Sequence, residues 1–467
     1  MNEKNALYSV ILHRFFEAFK NVTYQRVAIC QYVYRKFMSF IGEKRLNAYY
    51  PYAQAEINQM VDSQIYSLLD GPYAYDPHPG GIILMRAGFG DIASAHLPRN
   101  RFYLISPSQA EVDVIKLNRP DLTAYNLQED YRDNPTAVNE LNRQIAEVVQ
   151  EQHDDPLLGS RELQQWFERL VPEIVHVFDA VQGLFDQLDV AAVLTISSTY
   201  SMDGAMNLIA RAQRIPSLTL QHGLMAEHDL FAHIPVLAMK KMVWGSAIAD
   251  WYQKFGFPAS RVSAIGSPRF DVIFNRPWCG KPTLCEKLGV DPTKKILIYA
   301  ADILRIEQIV TPVVLEGLQQ IPDLVMVMLL HPGENGSPHQ RLAENYANCK
   351  VIPFGKISLY DALSGADIFA TCYSTAALEA MFFKLPVVTV EPFAPTFSYG
   401  RLGASLMVTD AAELHRVITR LISDESFRND AVQRYQDFLT QYCIPDGFAS
   451  QRLFDEIRKL CDNGGVV

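Results

Sequence analysis

Apolar residues in the first seventy positions recur at helical spacing, with Leu7, Val10, Ile11, Phe15 and Phe19 on one face, and predict a helical lead-in. GPYAYDPHPGG, residues 71–81, is a loop by composition, and beyond it the period changes. Ile82–Met85 and Phe102–Ser106 are apolar runs of strand length, the first followed by the glycine-bearing turn RAGFGD. From about Asp121 to Leu188 the spacing is mostly helical. AAVLTIS (191–197) is the next strand, SMDGAMNLIARAQRI (201–215) a helix, and PSLTLQHG (216–223) a strand that ends in a polar turn. Residues 242–271 continue as strand, helix, strand and turn.

A second set begins at KKILIYAAD: strand 296–300, helix 306–320, strand 325–330, the run KVIPF, helix SLYDALSGA, strand DIFATC, helix STAALEAMFFK and strand LPVVTVE. Strands alternating with helices predict parallel βαβ units. The expected class is therefore α/β: two Rossmann-like doubly wound domains facing a cleft, with an N-terminal helical extension. The divisions expected are 1–80 for the extension, 81–240 and 241–430 for the two domains, and 431–467 for C-terminal helices with charged outer faces. The Pro-, Gly- and Lys-rich segment 275–295 reads as a connector, and a boundary anywhere from 235 to 295 fits.

The composition is that of an ordinary globular protein, 49% hydrophobic and 20% charged over 467 residues. Its 42 Lys and Arg against 52 Asp and Glu give a net charge of -10, which argues against nucleic acid as a partner, because neutralising phosphates needs clustered basic surface. Seven scattered cysteines without a C-x-x-C pair signal neither zinc nor a disulfide framework, and fit a reducing cytoplasm. The first residues lack a signal-peptide pattern, and no apolar window approaches a membrane span. Peripheral docking of a surface helix at the inner face of a membrane stays open.

The stretch VMVMLLHPGENG (325–336) brings chemistry into the picture: a strand buried on both faces stops on His331, Pro332 and Gly333. Open α/β sheets keep their ligands just outside the carboxyl ends of their strands. Four polar turns fall at such ends: Ser201–Gly204, Gln221-His222-Gly223, His331-Pro332-Gly333, and Ser374-Thr375 with Glu379. Ser374 and Thr375 open a helix, whose first N–H groups suit a phosphate, and Glu379 lies one turn further along the same face, where it can meet ribose hydroxyls. The plainer reading makes Ser374 an N-cap and Glu379 a solvated helix residue. His331, expected one strand away, can donate to a phosphate oxygen and stabilise a departing nucleotide. Asp203 and His222 are the two residues placed to take a proton from an attacking hydroxyl. Asp203 at a helix start is also an ordinary cap. Gly88 and Gly90 form a lone G-x-G on the acceptor side, and His228, Asp229 and His233 follow no known metal-ligand spacing, so no metal is expected.

With these residues in hand, the chain from about 190 to 450 resembles nucleotide-sugar-dependent glycosyltransferases of the GT-B fold that build bacterial surface polysaccharides. His331-Pro332 is similar to the His-Pro motif of bacterial sialyltransferases and polysialyltransferases. Ser374-Thr375 followed by AALEAMFFKLPVV resembles their serine/threonine motif and the glutamate-bearing helix of GT-B donor sites. Asp203-Gly204 resembles the end of their acidic-acidic-glycine motif, with Met202 where an acidic residue is common. Gln221-His222-Gly223 is similar to the histidine-glycine turn of glycerophosphotransferases that make teichoic acids and of capsule-synthesis proteins, where that histidine is thought to act as base. IGSPRFD, with Gly266, is similar to a turn of several GT-B enzymes, nucleotide-sugar epimerases included.

The resemblance implies an inverting, metal-independent transferase that needs no cofactor, with a CMP- or UDP-sugar as substrate. The donor nucleotide would bind the second domain through His331, Pro332, Gly333, Ser374, Thr375, Glu379 and Gly266. A glycan or lipid-linked acceptor would bind the first. The alternatives are a nucleotide-sugar 2-epimerase, a CDP-glycerol-type glycerophosphotransferase, and a non-catalytic scaffold of polysaccharide assembly.

Overall fold

The computed structural model describes residues 3–66, 71–225, 230–301, 304–331, 336–353, 355–395 and 397–466. The chain divides into two compact units. The first comprises 1–222, 229–265 and 450–467, and the second 223–228 and 266–449. The division therefore falls at 265/266 and not at the expected 240/241, because the strands at 240–243 and 262–264 complete the first sheet. The expected helical extension is not a body of its own, and residues 450–467 return to the first unit.

In the first unit the lead-in forms helices α1 (Glu3–Phe19) and α2 (Ile29–Ile57), the latter broken at Gly42, whose φ of +56° favours glycine. Leu7, Val10, Ile11, Phe15 and Phe19 are all buried, as their spacing predicts. Phe15 stacks on Phe37 at 3.9 Å, and Phe19 lies 5.1 Å from Phe167. Phe167 belongs to a later helix, so aromatic packing ties the lead-in to the body of this unit.

Seven parallel strands make its sheet: β1 (Ile82–Arg86), β2 (Phe102–Ser106), β3 (Ala124–Asn126), β4 (Val190–Thr195), β5 (Ser217–Leu220), β6 (Lys240–Val243) and β7 (Val262–Ala264), in the order 7-6-5-4-1-2-3. The order reverses between β1 and β4. Helices α3 (Pro135–Glu151) and α4 (Arg161–Gln187) connect β3 to β4, and α5 (Ser201–Ala212) connects β4 to β5. Ser160 caps α4 by accepting the Leu163 N–H at 3.2 Å. The core joins Ile83, Met85 and Leu194 to Leu453, Phe454 and Ile457 of the terminal helix, and Gly465–Val466 pairs antiparallel with Ala74–Tyr75.

The second unit is a six-stranded parallel sheet: β8 (Lys295–Ala300), β9 (Leu324–Leu329), β10 (Cys349–Ile352), β11 (Ile368–Thr371), β12 (Val387–Val390) and β13 (Leu406–Val408), in the order 10-9-8-11-12-13. Numbered within the unit this is 3-2-1-4-5-6, the Rossmann order, and the direction of winding reverses between β8 and β11. Central strands such as Ile296–Ala300 are buried on both faces, which is why they read as unbroken apolar runs. Two three-residue edge strands, β3 and β13, carry no such run and lie outside the sequence expectation. Helices α6 (Gly280–Leu288), α7 (Leu359–Gly365) and α8 (Ala376–Phe382) complete the parts of this unit that bear on the site. Among the described residues no helix is long and apolar enough to cross a membrane.

Candidate functional site

The register of the second sheet levels four strand ends. Ile352 pairs with Leu329, Leu329 with Ala300, and Ala300 with Thr371. Two residues beyond Leu329 stands His331, and three beyond Thr371 stands Ser374, so the two flank the end of β8 at the point where the winding reverses. They are not on neighbouring strands, since β8 lies between β9 and β11. Thr371 Oγ1 donates to the Ala300 carbonyl at 3.0 Å and holds these ends together.

A cavity of about 720 Å³ opens over them, and His331, Ser374, Thr375 and Glu379 all line it. Pro332 and Gly333 lie outside the described residues. Ser374 Oγ accepts the Ala376 N–H at 3.3 Å, and its carbonyl accepts from Tyr399 Oη at 3.1 Å, so the residue is in part the cap that its position suggests. Thr375 makes no such side-chain cap.

Glu379 is 2% exposed, and the solvated reading fails for it. Its Oε1 accepts from Arg269 Nη2 at 2.8 Å and from Tyr360 Oη at 3.0 Å. Both partners also line the cavity, and the sequence reading missed both. Arg269 stands in IGSPRFD, the turn singled out for Gly266. That glycine has φ +82°, and Pro268–Phe270 then form a 3-10 turn. Phe270 is buried with its ring 5.1 Å from Phe382 of α8, which seats the turn on the helix that carries Glu379. Tyr360 enters on α7, where Ser358 accepts the Asp361 N–H at 3.0 Å as N-cap. Burial, and then the Glu379 carboxylate, push the Tyr360 phenol well above its ordinary value, so it stays a donor at neutral pH. Arg276 also lines the cavity, its guanidinium 3.8 Å from the Trp278 ring centre. Against these cations Glu379 is the one acid among the described lining residues.

In the first unit Asp203 is completely buried at the start of α5. Its Oδ1 accepts from Arg86 Nη1 at 3.1 Å, and its Oδ2 accepts the Ile196 and Ser197 N–H groups, each at 3.1 Å. Burial raises its carboxyl above the ordinary value against the opposing pull of Arg86 and those N–H groups. Met202 beside it is 2% exposed, so an acidic residue there would be a second buried charge. His222, by contrast, is exposed, one residue after a tightly held Gln221. Gln221 donates its N–H to Met242 O at 2.9 Å, and its Oε1 and carbonyl accept from Trp244 N and Nε1 at 3.0 and 2.9 Å. The His222 ring lies 5.9 Å from that of Tyr200.

Gly88 is exposed with open space around it. Gly90 is buried where a Cβ would come within 2.8 Å of Leu122, so close packing accounts for it. His228 and Asp229 lie outside the described residues, among which no group of three or more His, Cys, Asp and Glu could hold a metal.

The family model described as CDP-Glycerol:Poly(glycerophosphate) glycerophosphotransferase matches residues 246–459, a span that contains the whole cavity. The second unit is thus similar to a transferase family. No curated protein sequence matches the chain. Among solved structures, UDP-GlcNAc 2-epimerase from Neisseria meningitidis bound to UDP-GlcNAc is similar at TM-score 0.55 and 12% identity, over 81% of this chain and 99% of that one. The S. aureus MnaA–UDP structure is similar at TM-score 0.51 and 14% identity, over 81% and 96%. At such identities the likeness is one of fold. It places the two doubly wound units in the GT-B class.

Proposed function

We propose that the protein is a transferase that binds a nucleotide-activated donor in the cavity of its second unit and passes part of it to a hydroxyl of a cell-surface glycan or its lipid-linked precursor. The observation that carries this reading is the meeting of His331, Ser374, Thr375 and Arg269 around one cavity at the reversal point of a Rossmann-order sheet. His331 and the helix start at Ser374-Thr375 hold the donor phosphate, and His331 stabilises charge on the departing nucleotide. Of the two residues expected to take the acceptor proton, His222 is exposed and Asp203 is not, which supports His222 as the base and leaves Asp203 the role of holding the β4–α5 turn. No metal enters the reaction as proposed. The enzyme works in the cytoplasm, at the inner face of the membrane where its acceptor is lipid-linked.

Two donors fit the phosphate chemistry. With a nucleotide sugar, the acceptor oxygen bonds to the anomeric carbon and the bond from that carbon to the phosphate oxygen breaks. With CDP-glycerol, the acceptor oxygen bonds to the β-phosphorus and CMP leaves. The glycerophosphotransferase match over 246–459 favours the second donor, and the sequence resemblance to surface-polysaccharide glycosyltransferases favours the first.

A thermal-shift panel of CMP, CDP, UDP, GDP and dTDP tests the shared premise. A nucleotide at about one hundred times its dissociation constant stabilises the folded state by roughly 2.7 kcal/mol. No shift with any of them would leave a scaffold as the better reading. Incubation with donor alone isolates the epimerase alternative, which makes a new sugar epimer without acceptor. In a transfer assay, His222→Ala is expected to cut turnover by about a hundredfold or more while nucleotide binding holds.

A further inference from the structure

Resting on the reading that the second unit's cavity takes a nucleotide, we infer that Arg269 is the residue that grips its phosphate, and that Glu379, with Tyr360, is a positioning residue for that guanidinium. Two donors on the cavity wall converge on a single carboxylate oxygen, Oε1 of Glu379: Arg269 Nη2 at 2.8 Å and Tyr360 Oη at 3.0 Å. The Glu379 side chain is 3% exposed, whereas that of Arg269 is 47% exposed. A buried carboxylate needs partners of its own, and this one has them within the protein.

The guanidinium is in the opposite position. It has five N–H donors in a planar fork, of which the contact to Glu379 uses one, and it is half-exposed on the wall of the cavity. Its own turn is fixed by Phe270, which is 3% exposed and packs on Phe382, so its approach is set before any ligand arrives. A guanidinium held by a buried carboxylate and still half-exposed on the cavity wall suits a phosphate group. Among the described lining residues Arg269 and Glu379 cancel, and Arg276 adds a further positive charge.

Calorimetric titration of CDP and UDP into the whole protein and its variants tests the assignment. Arg269→Gln is expected to weaken binding of the preferred diphosphate by at least about tenfold, as for loss of a charge-assisted contact. Glu379→Gln weakens it less, and the double variant binds no more weakly than Arg269→Gln alone, because the carboxylate acts through the guanidinium. Independent action of the two residues would give losses that multiply. Arg269→Lys keeps Glu379 paired and so guards against misfolding; with a point charge in place of the fork it is expected to bind several-fold more weakly. Wild-type affinity in Arg269→Lys or Arg269→Gln, or multiplying losses in the double variant, overturns the inference while the nucleotide reading stands. Failure of the wild-type protein to bind any of CMP, CDP, UDP, GDP and dTDP overturns the nucleotide reading itself.

Discussion

Asp203→Ala is the substitution whose outcome the structure specifies most fully. The carboxylate is wholly buried and serves three donors, one from Arg86 and two from the backbone where β4 gives way to α5. Its removal leaves the Ile196 and Ser197 N–H groups without their acceptor and takes the nearest acid from an Arg86 side chain only 16% exposed. Breaking a buried pair by deleting one partner costs about 3–5 kcal/mol. Glu111 Oε2 stands 3.8 Å from Arg86 Nη2 and can take up part of the stranded charge, which puts the expected loss near the lower end, about 3 kcal/mol. Urea unfolding followed by circular dichroism reads the loss as a fall in midpoint in the transition of the first unit. The double substitution Arg86→Met with Asp203→Leu removes the buried ion pair but still leaves the two N–H groups without their acceptor, and is expected to recover only part of the loss. If Asp203→Ala unfolds within about 1 kcal/mol of the wild type, the carboxylate does not hold this turn, and the case for Asp203 as a catalytic base reopens.

Two further substitutions test the frame of each unit. Asp367 accepts from Lys281 Nζ at 2.7 Å, the Ile296 N–H at 2.9 Å and Lys295 Nζ at 3.1 Å; burial pushes its carboxyl up, but these donors outweigh burial and hold it below its ordinary value. Its stabilisation is therefore present above about pH 4 and is lost as pH falls through the lowered folded value, so the gap in urea midpoint between wild type and Asp367→Asn should close on acidification, and a gap that widens would contradict this. Arg261, 1% exposed, donates to Met239 O at 2.8 Å, to Ala238 O at 2.9 Å and to Tyr66 Oη. Arg261→Met removes the buried donor that the Met239 and Ala238 carbonyls share and is expected to destabilise the first unit by about 2–4 kcal/mol, whereas an unchanged midpoint would show that water replaces the guanidinium there.

The strands of both sheets that are buried on two faces were legible because burial on both faces imposes unbroken apolar runs, and the lead-in helices because one face is buried. β3 and β13 were not legible: three residues at a sheet edge need neither a run nor an alternation. His331 and Ser374 could be placed at strand ends from the rhythm of the chain, but the strand that separates them could not, since order within a sheet is set by crossovers and not by local pattern. Arg269 and Tyr360 escaped because their role depends on Glu379 being buried, and one sequence does not reveal which helix face turns inward next to a cavity. The arginine within the glycine-proline turn IGSPRFD was the one available signal. The same blindness to burial left Asp203 and His222 unranked.

The most direct measurement is a crystal structure of the protein grown with CDP or UDP. The account predicts diphosphate density in the second unit, with phosphate oxygens within hydrogen-bond reach of His331, Arg269 and the Ser374-Thr375 helix start. Diphosphate bound elsewhere, or bound in this cavity with its phosphates away from those groups, would contradict it.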